Sequence, residues 1–73
     1  MSKLPVLPAR VVIKILRRFG FEIVRQTGGH IHLWNPEKRA LVTVPNHPEL
    51  AKGTLLSIIK QGKLEREEFL SKL

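Results

Sequence analysis

The chain contains no cysteine, so neither a disulfide nor a thiolate zinc site can staple it, and its fold must be held by packing alone. That excludes an exported disulfide scaffold. No stretch approaches the roughly 20 apolar residues needed to cross a bilayer, and the opening segment MSKLPVLP carries a lysine but no continuous apolar core. A cytoplasmic location is the expectation. Internal repeats and low-complexity runs are absent too. Acidic residues are scarce: six against thirteen Lys and Arg give a formal net charge of +7. Only Glu22, Glu37 and Glu49 precede Glu65, so the body of the chain is the cationic part.

What is present is enough apolar material to fold. With 42% hydrophobic and 26% charged residues, the chain lacks the composition of a disordered segment. A length of 73 residues supports a single domain, 1–73, and excludes a multidomain enzyme. Its charge density raises the local concentration of polyanions and speeds their encounter. Nucleic acid is therefore the leading partner class, an acidic protein the next, and a merely soluble basic surface the plain alternative.

Pro8 suits the first turn of a helix. Val12, Ile15, Leu16 and Phe19 then recur at helical spacing until Gly20 supplies a stop, which predicts a helix from Ala9 to Phe19. On its other side Arg10, Lys14, Arg17 and Arg18 fall within about a third of the circumference and form a cationic stripe. Phe21 to Gln26 is rich in strand formers but alternates imperfectly, and Thr27, Gly28 and Gly29 break it with a turn. His30 to Trp34 reads as a second strand, Asn35 to Arg39 as a polar connection without strand character, and Leu41 to Val44 as a third strand ended by Pro45. After a loop through Asn46, His47, Pro48 and Glu49, the stripe Leu55, Leu56, Ile58 and Ile59 predicts a second helix that stops near Gly62. A short final helix from Glu65 to Lys72 places Glu67 and Glu68 at its positive end and offers Phe69, Leu70 and Leu73 for burial. The expected fold class is α+β: helix, three-stranded antiparallel sheet, helix and a short C-terminal helix, with helices on one sheet face and the other exposed.

Side chains alternate across a strand, so if Ile31 and Leu33 point inward, His30, His32 and Trp34 point outward. Histidine exchanges protons near neutrality, and RNA carries its own nucleophile in the 2′-hydroxyl. A base at that hydroxyl would start cleavage, while Lys52, Arg25 or the N–H groups of the Gly28-Gly29 turn could face the developing negative charge. Trp34 could stack on an exposed base. The alternatives are ordinary polar residues on a wet sheet face, a Trp34 that only packs, and a His47 that only shapes its turn. A metal site on His30 and His32 lacks the carboxylate or cysteine that would complete the usual ligand set, so neither a metal nor a cofactor is expected.

Several segments taken together resemble one known family. They are Leu16 to Phe21, Val24-Arg25-Gln26-Thr27-Gly28-Gly29-His30, Val42-Thr43-Val44-Pro45 with His47, Lys52-Gly53-Thr54-Leu55 through Ile58-Ile59-Lys60-Gln61, and the tail Glu67-Glu68-Phe69-Leu70. Their order and spacing over nearly the whole chain are similar to the HicA (YcfA-like) toxins of toxin–antitoxin systems. The resemblance implies a fold like a double-stranded-RNA-binding domain, an mRNA interferase activity, and a HicB-type antitoxin that occludes it. The family's essential histidine falls on His30. Most members have a serine just before it where this chain has Gly29, which removes a hydroxyl but leaves an N–H for a phosphate. His32 has no firm counterpart in the family motif, and an aromatic commonly stands at the position of Leu33 rather than Trp34, so both are treated as accessory.

The expectation is therefore a metal-independent endoribonuclease with His30 as acid or base. Arg10, Lys14, Arg17, Arg18, Arg25, Gly28, Gly29, His32, Trp34 and Lys52 would contact RNA. The rivals are a non-catalytic RNA-binding module and a protein-interaction domain whose basic surface docks an acidic chain.

Overall fold

The computed structural model describes residues 4–73; Met1, Ser2 and Lys3, part of the opening segment considered above, lie outside the described residues. The elements follow in the order α1 (Ala9–Arg18), β1 (Glu22–Thr27), β2 (His30–Asn35), β3 (Ala40–Pro45), α2 (Lys52–Gln61) and α3 (Arg66–Leu70). The strands form an antiparallel sheet in the order β1-β2-β3. This is the α+β plan that the hydrophobic periodicities require.

α1 forms because its apolar residues recur every third or fourth position, and Ala9, Val12, Ile15 and Leu16 are all buried. Gly20, at φ +94°, ends it: this left-handed position lets the Phe21 N–H reach back to the Leu16 carbonyl at 3.2 Å, the bond that closes a Schellman turn. The same reversal drives Phe21 into the core, where it is fully buried. At the end of α2 the left-handed residue is Lys63 rather than Gly62, with φ +55°, and the Leu64 N–H returns to the Ile59 carbonyl at 3.1 Å.

Ile31 and Leu33 of β2 and Val42 and Val44 of β3 point into one core with Leu55, Ile58 and Phe69. β1 behaves differently, being exposed at all six positions. The helices cover β2 and β3 but leave β1 beyond the packed layer. Its imperfect alternation has a structural cause: the pairing runs from Ile23↔Leu33 to Arg25↔His32, so Val24 is the extra residue of a β-bulge.

Three expectations need correction. Asn35 does not belong to a polar connection but ends β2 at 1% exposure, as the one buried polar side chain among the described residues. Its Nδ2 donates to the Phe19 carbonyl at 2.8 Å, and its Oδ1 accepts the Lys38 N–H at 3.0 Å, so one amide ties the end of α1 to the β2–β3 turn. Leu56 is 40% exposed, because α2 meets the sheet through Leu55, Ile58 and Ile59 and Leu56 turns away. Leu73 is 63% exposed; α3 stops at Leu70 and anchors through buried Phe69, with half-buried Leu70 packed against the core. No helix among the described residues is long and apolar enough to cross a membrane.

Replacing Asn35 with alanine strands a half-buried carbonyl and a half-buried N–H at once. Urea unfolding of Asn35→Ala should show a loss of about 2 kcal/mol; an unchanged midpoint would mean that water replaces both bonds.

Candidate active site

The register of β2 and β3 pairs His30 with Pro45, His32 with Thr43 and Trp34 with Leu41. On the other flank Thr27 pairs with His30, Arg25 with His32 and Glu22 with Trp34. Since Ile31 and Leu33 are buried, the two imidazoles and the indole share the uncovered sheet face, as the alternation of β2 requires. His30 is exposed, while His32 and Trp34 are half-buried.

The two histidines have different surroundings. The His32 ring spans the sheet, its Nε2 lying 3.0 Å from Thr27 Oγ1 and its Nδ1 3.1 Å from Thr43 Oγ1. Both of its nitrogens are engaged, so this ring ties the three strands together and is not free to take a proton from a substrate. His30 makes no side-chain hydrogen bond or ion pair among the described residues. It opens into a groove walled on one side by Thr43 and Pro45 of β3 and on the other by Gly53, Thr54, Ser57 and Gln61 of α2.

That groove exists because α2 is fastened to the free edge of β3. The Thr43 N–H points away from β2 and donates to Gln61 Oε1 at 3.0 Å, while Gln61 Nε2 donates to Ser57 Oγ at 3.1 Å. One glutamine thus satisfies an edge N–H that would otherwise face solvent. It also holds the hydroxyl-bearing face of α2 next to His30. Neither Gln61, Ser57 nor Thr43 was among the expected site residues; the only sign in the sequence was that Thr54, Ser57 and Gln61 lie on the polar side of α2. Ala51 precedes α2 without a side-chain cap, so the first-turn N–H groups at Gly53 and Thr54 lack an intrahelical partner and can face an anion.

The remaining expected residues are distributed over separate places. Lys52 is exposed at the start of α2 but does not line the His30 groove. Arg25 lines a different hollow, with Val24, His32 and Leu41, where the bulge turns two consecutive β1 side chains toward the open face. Val24 and Leu41 are 57% and 51% exposed there, so this end of the face is apolar. Arg10, Lys14, Arg17 and Arg18 line a third hollow, on the exposed side of α1, where Arg17 lies 3.5 Å from Glu22. No group of three His, Cys, Asp or Glu side chains comes together as a metal-binding set among the described residues.

The turn before His30 assigns its two glycines different duties. Gly28 sits at φ +51°, a left-handed conformation that favours glycine, whereas Gly29 has an ordinary φ and nothing within 4 Å of where a Cβ would stand. The Gly29 carbonyl accepts the Asn46 N–H at 2.7 Å, which extends the β2–β3 ladder beyond its last residue pair.

A family model describing the HicA toxin of bacterial toxin–antitoxin systems matches residues 9–64. The chain belongs to the HicA toxin family. The match runs from the first residue of α1 to the turn after α2 and so takes in the whole sheet, the turn before His30 and the groove. No curated protein matches the chain. Membership makes this HicA chain the toxin of a pair and implies an antitoxin partner.

The turn geometry separates two substitutions in this HicA chain. Gly28→Ala should cost about 1 kcal/mol, and Gly29→Ser, with room for a side chain and an unstrained backbone, less than about 0.5 kcal/mol. Thermal melts of the two variants check the difference; equal losses would contradict the φ assignment.

Proposed function

We propose that this HicA toxin is a metal-independent endoribonuclease that cleaves messenger RNA through His30 and is held silent by a HicB-type antitoxin. The observation that carries this reading is an imidazole without a side-chain partner among the described residues, at the mouth of a groove lined by hydroxyls, a side-chain amide and the first turn of a helix. In the reaction, a neutral His30 ring removes the proton from a ribose 2′-hydroxyl. The oxygen attacks the adjacent phosphorus, the bond to the 5′ oxygen breaks, and that oxygen leaves with a proton from the imidazolium or from water. The products are a 2′,3′-cyclic phosphate and a 5′-hydroxyl.

The other residues divide the remaining tasks. The Gly53 and Thr54 N–H groups, with Lys52 beside them, suit the charge that builds on the phosphate. His32 acts through its two threonines: it keeps Thr43 in place on the wall that His30 faces. Trp34, half-buried and paired with Leu41 on the same face, offers an edge on which a base could stack. Gly28 and Gly29 shape the turn and leave the backbone accessible to a phosphate. Arg10, Lys14, Arg17 and Arg18 hold the RNA backbone away from the reacting bond.

One observation favours a second reading. Among the described residues no Lys or Arg lines the groove around His30, Lys52 lying outside it, and a groove without a cation of its own fits a module that binds RNA without breaking it. Such a module would bind RNA with steep salt dependence and yield no products.

Incubation with single-stranded RNA in EDTA distinguishes the two. The wild-type protein should generate ends bearing a cyclic phosphate, His30→Ala should be slower by about 10²–10⁴-fold, and a DNA copy of the substrate should survive because it lacks the 2′-hydroxyl. Equal cleavage by both proteins removes His30 from the chemistry. Binding by both without cleavage establishes the second reading.

A further inference from the structure

The cationic face of α1 and the His30 groove are separate hollows, but the surface between them is not featureless. Arg10 lines the α1 hollow and also a second one at the end of the sheet, where it meets Asn46 and His47. Asn46 in turn bonds to the Gly29 carbonyl at 2.7 Å, and Pro45, its neighbour, pairs with His30 and forms part of the groove wall. A continuous surface thus leads from α1 through Arg10, His47 and Asn46 to His30.

The His47 backbone is fixed on both sides while its ring is exposed. Its carbonyl accepts the Ala9 N–H at 3.0 Å and its N–H donates to the Pro45 carbonyl at 2.9 Å. Among the described residues neither the His47 ring, the Asn46 amide nor the Arg10 guanidinium has a hydrogen-bond or ion-pair partner. Three donors with unused capacity, on a backbone already ordered, form a surface that can bind an anion at little entropic cost. An imidazole N–H donates to a phosphate oxygen in either protonation state.

We infer that Arg10, Asn46 and His47 form a non-catalytic subsite for a backbone phosphate of single-stranded RNA, which leads the strand from the His30 groove onto the cationic face of α1. This rests on the ribonuclease reading and adds to it a path and a strand type. α1 packs beneath the sheet, and its cations face away from that core. The groove lies elsewhere, where α2 meets the free edge of β3. A nucleic acid touching both has to turn past Arg10, His47 and Asn46 around the end of the sheet. A single strand makes that turn. A duplex does not, DNA for example being stiff over about 50 nm.

The test uses full-length protein and 2′-O-methyl RNA, which cannot be cleaved, as a dinucleotide and as an octanucleotide, with Kd measured over a range of salt. Arg10→Ala and His47→Ala should each weaken octanucleotide binding about 10-fold and shrink the advantage of the octanucleotide over the dinucleotide, and Arg10→Ala, which removes a fixed cation, should also lower the salt slope by about 0.7. Arg10→Lys and His47→Gln, which keep a charge or a donor, should recover part of the loss, and thermal melts confirm that all four variants fold. Wild-type affinity and slope in the Arg10→Ala/His47→Ala double variant overturn the subsite while leaving the ribonuclease reading intact. Failure of the wild-type protein to bind either RNA overturns both. A duplex octamer that binds more tightly than the single strand, or an acidic peptide that displaces the octanucleotide as well as unlabelled RNA does, overturns the inference by giving this surface to another partner.

Discussion

The register of β2 between its two neighbours governs everything else in this molecule. Because side chains alternate with a period of two, shifting the strand by one residue would expose Ile31 and Leu33 and bury His30, His32 and Trp34. The register is held at both ends of the strand by bonds beyond its paired residues. At one end the Asn35 amide spans from the Phe19 carbonyl to the Lys38 N–H. At the other, Asn46 reaches the Gly29 carbonyl. Between them the His32 ring bridges two threonine hydroxyls across all three strands. The outward position of His30 is therefore the result of several agreeing constraints.

Around that strand, neutral and charged functions are separated in space. The groove beside His30 has hydroxyls, amides and helix N–H groups, while the cations lie on α1, on β1 and at the entrance to α2. Fixed neutral dipoles act at contact range, whereas unpaired cations act over a Debye length of about 8 Å at physiological salt. Under the ribonuclease reading proposed above, a protein built this way gathers RNA over much of its surface and discriminates among positions along it at one place, which is then the smallest surface an antitoxin has to cover.

Much of this was legible in the amino-acid order, and the reasons differ by residue. α1, β2, β3 and α2 followed from periodicity, with boundaries displaced by a residue or two, because their apolar residues answer to one common core, whereas β1, exposed along its length, was legible only from its strand-forming residues. The outward direction of His30, His32 and Trp34 followed from the inward direction of Ile31 and Leu33. Asn35 escaped notice because a buried amide in a strand looks, in sequence, like the start of a polar turn. Gln61 and Ser57 escaped because their role depends on α2 lying along the edge of β3, a tertiary relation that no local pattern encodes. Charge counts identified the cationic residues but not their directions, which is why Arg25 and Lys52 were expected at the phosphate beside His30 and lie outside its groove.

β1 remains with its outer edge unpaired among the described residues, carrying backbone groups that would accept another strand. The Val24 bulge interrupts the regular spacing such pairing requires, and Glu22 and Arg25 set opposite charges at either side of it. These are the devices by which sheet proteins avoid joining edge to edge. A toxin synthesised faster than its antitoxin spends time alone at rising concentration, and a kinked, charged border keeps such a chain from ending as fibrils before it meets its partner.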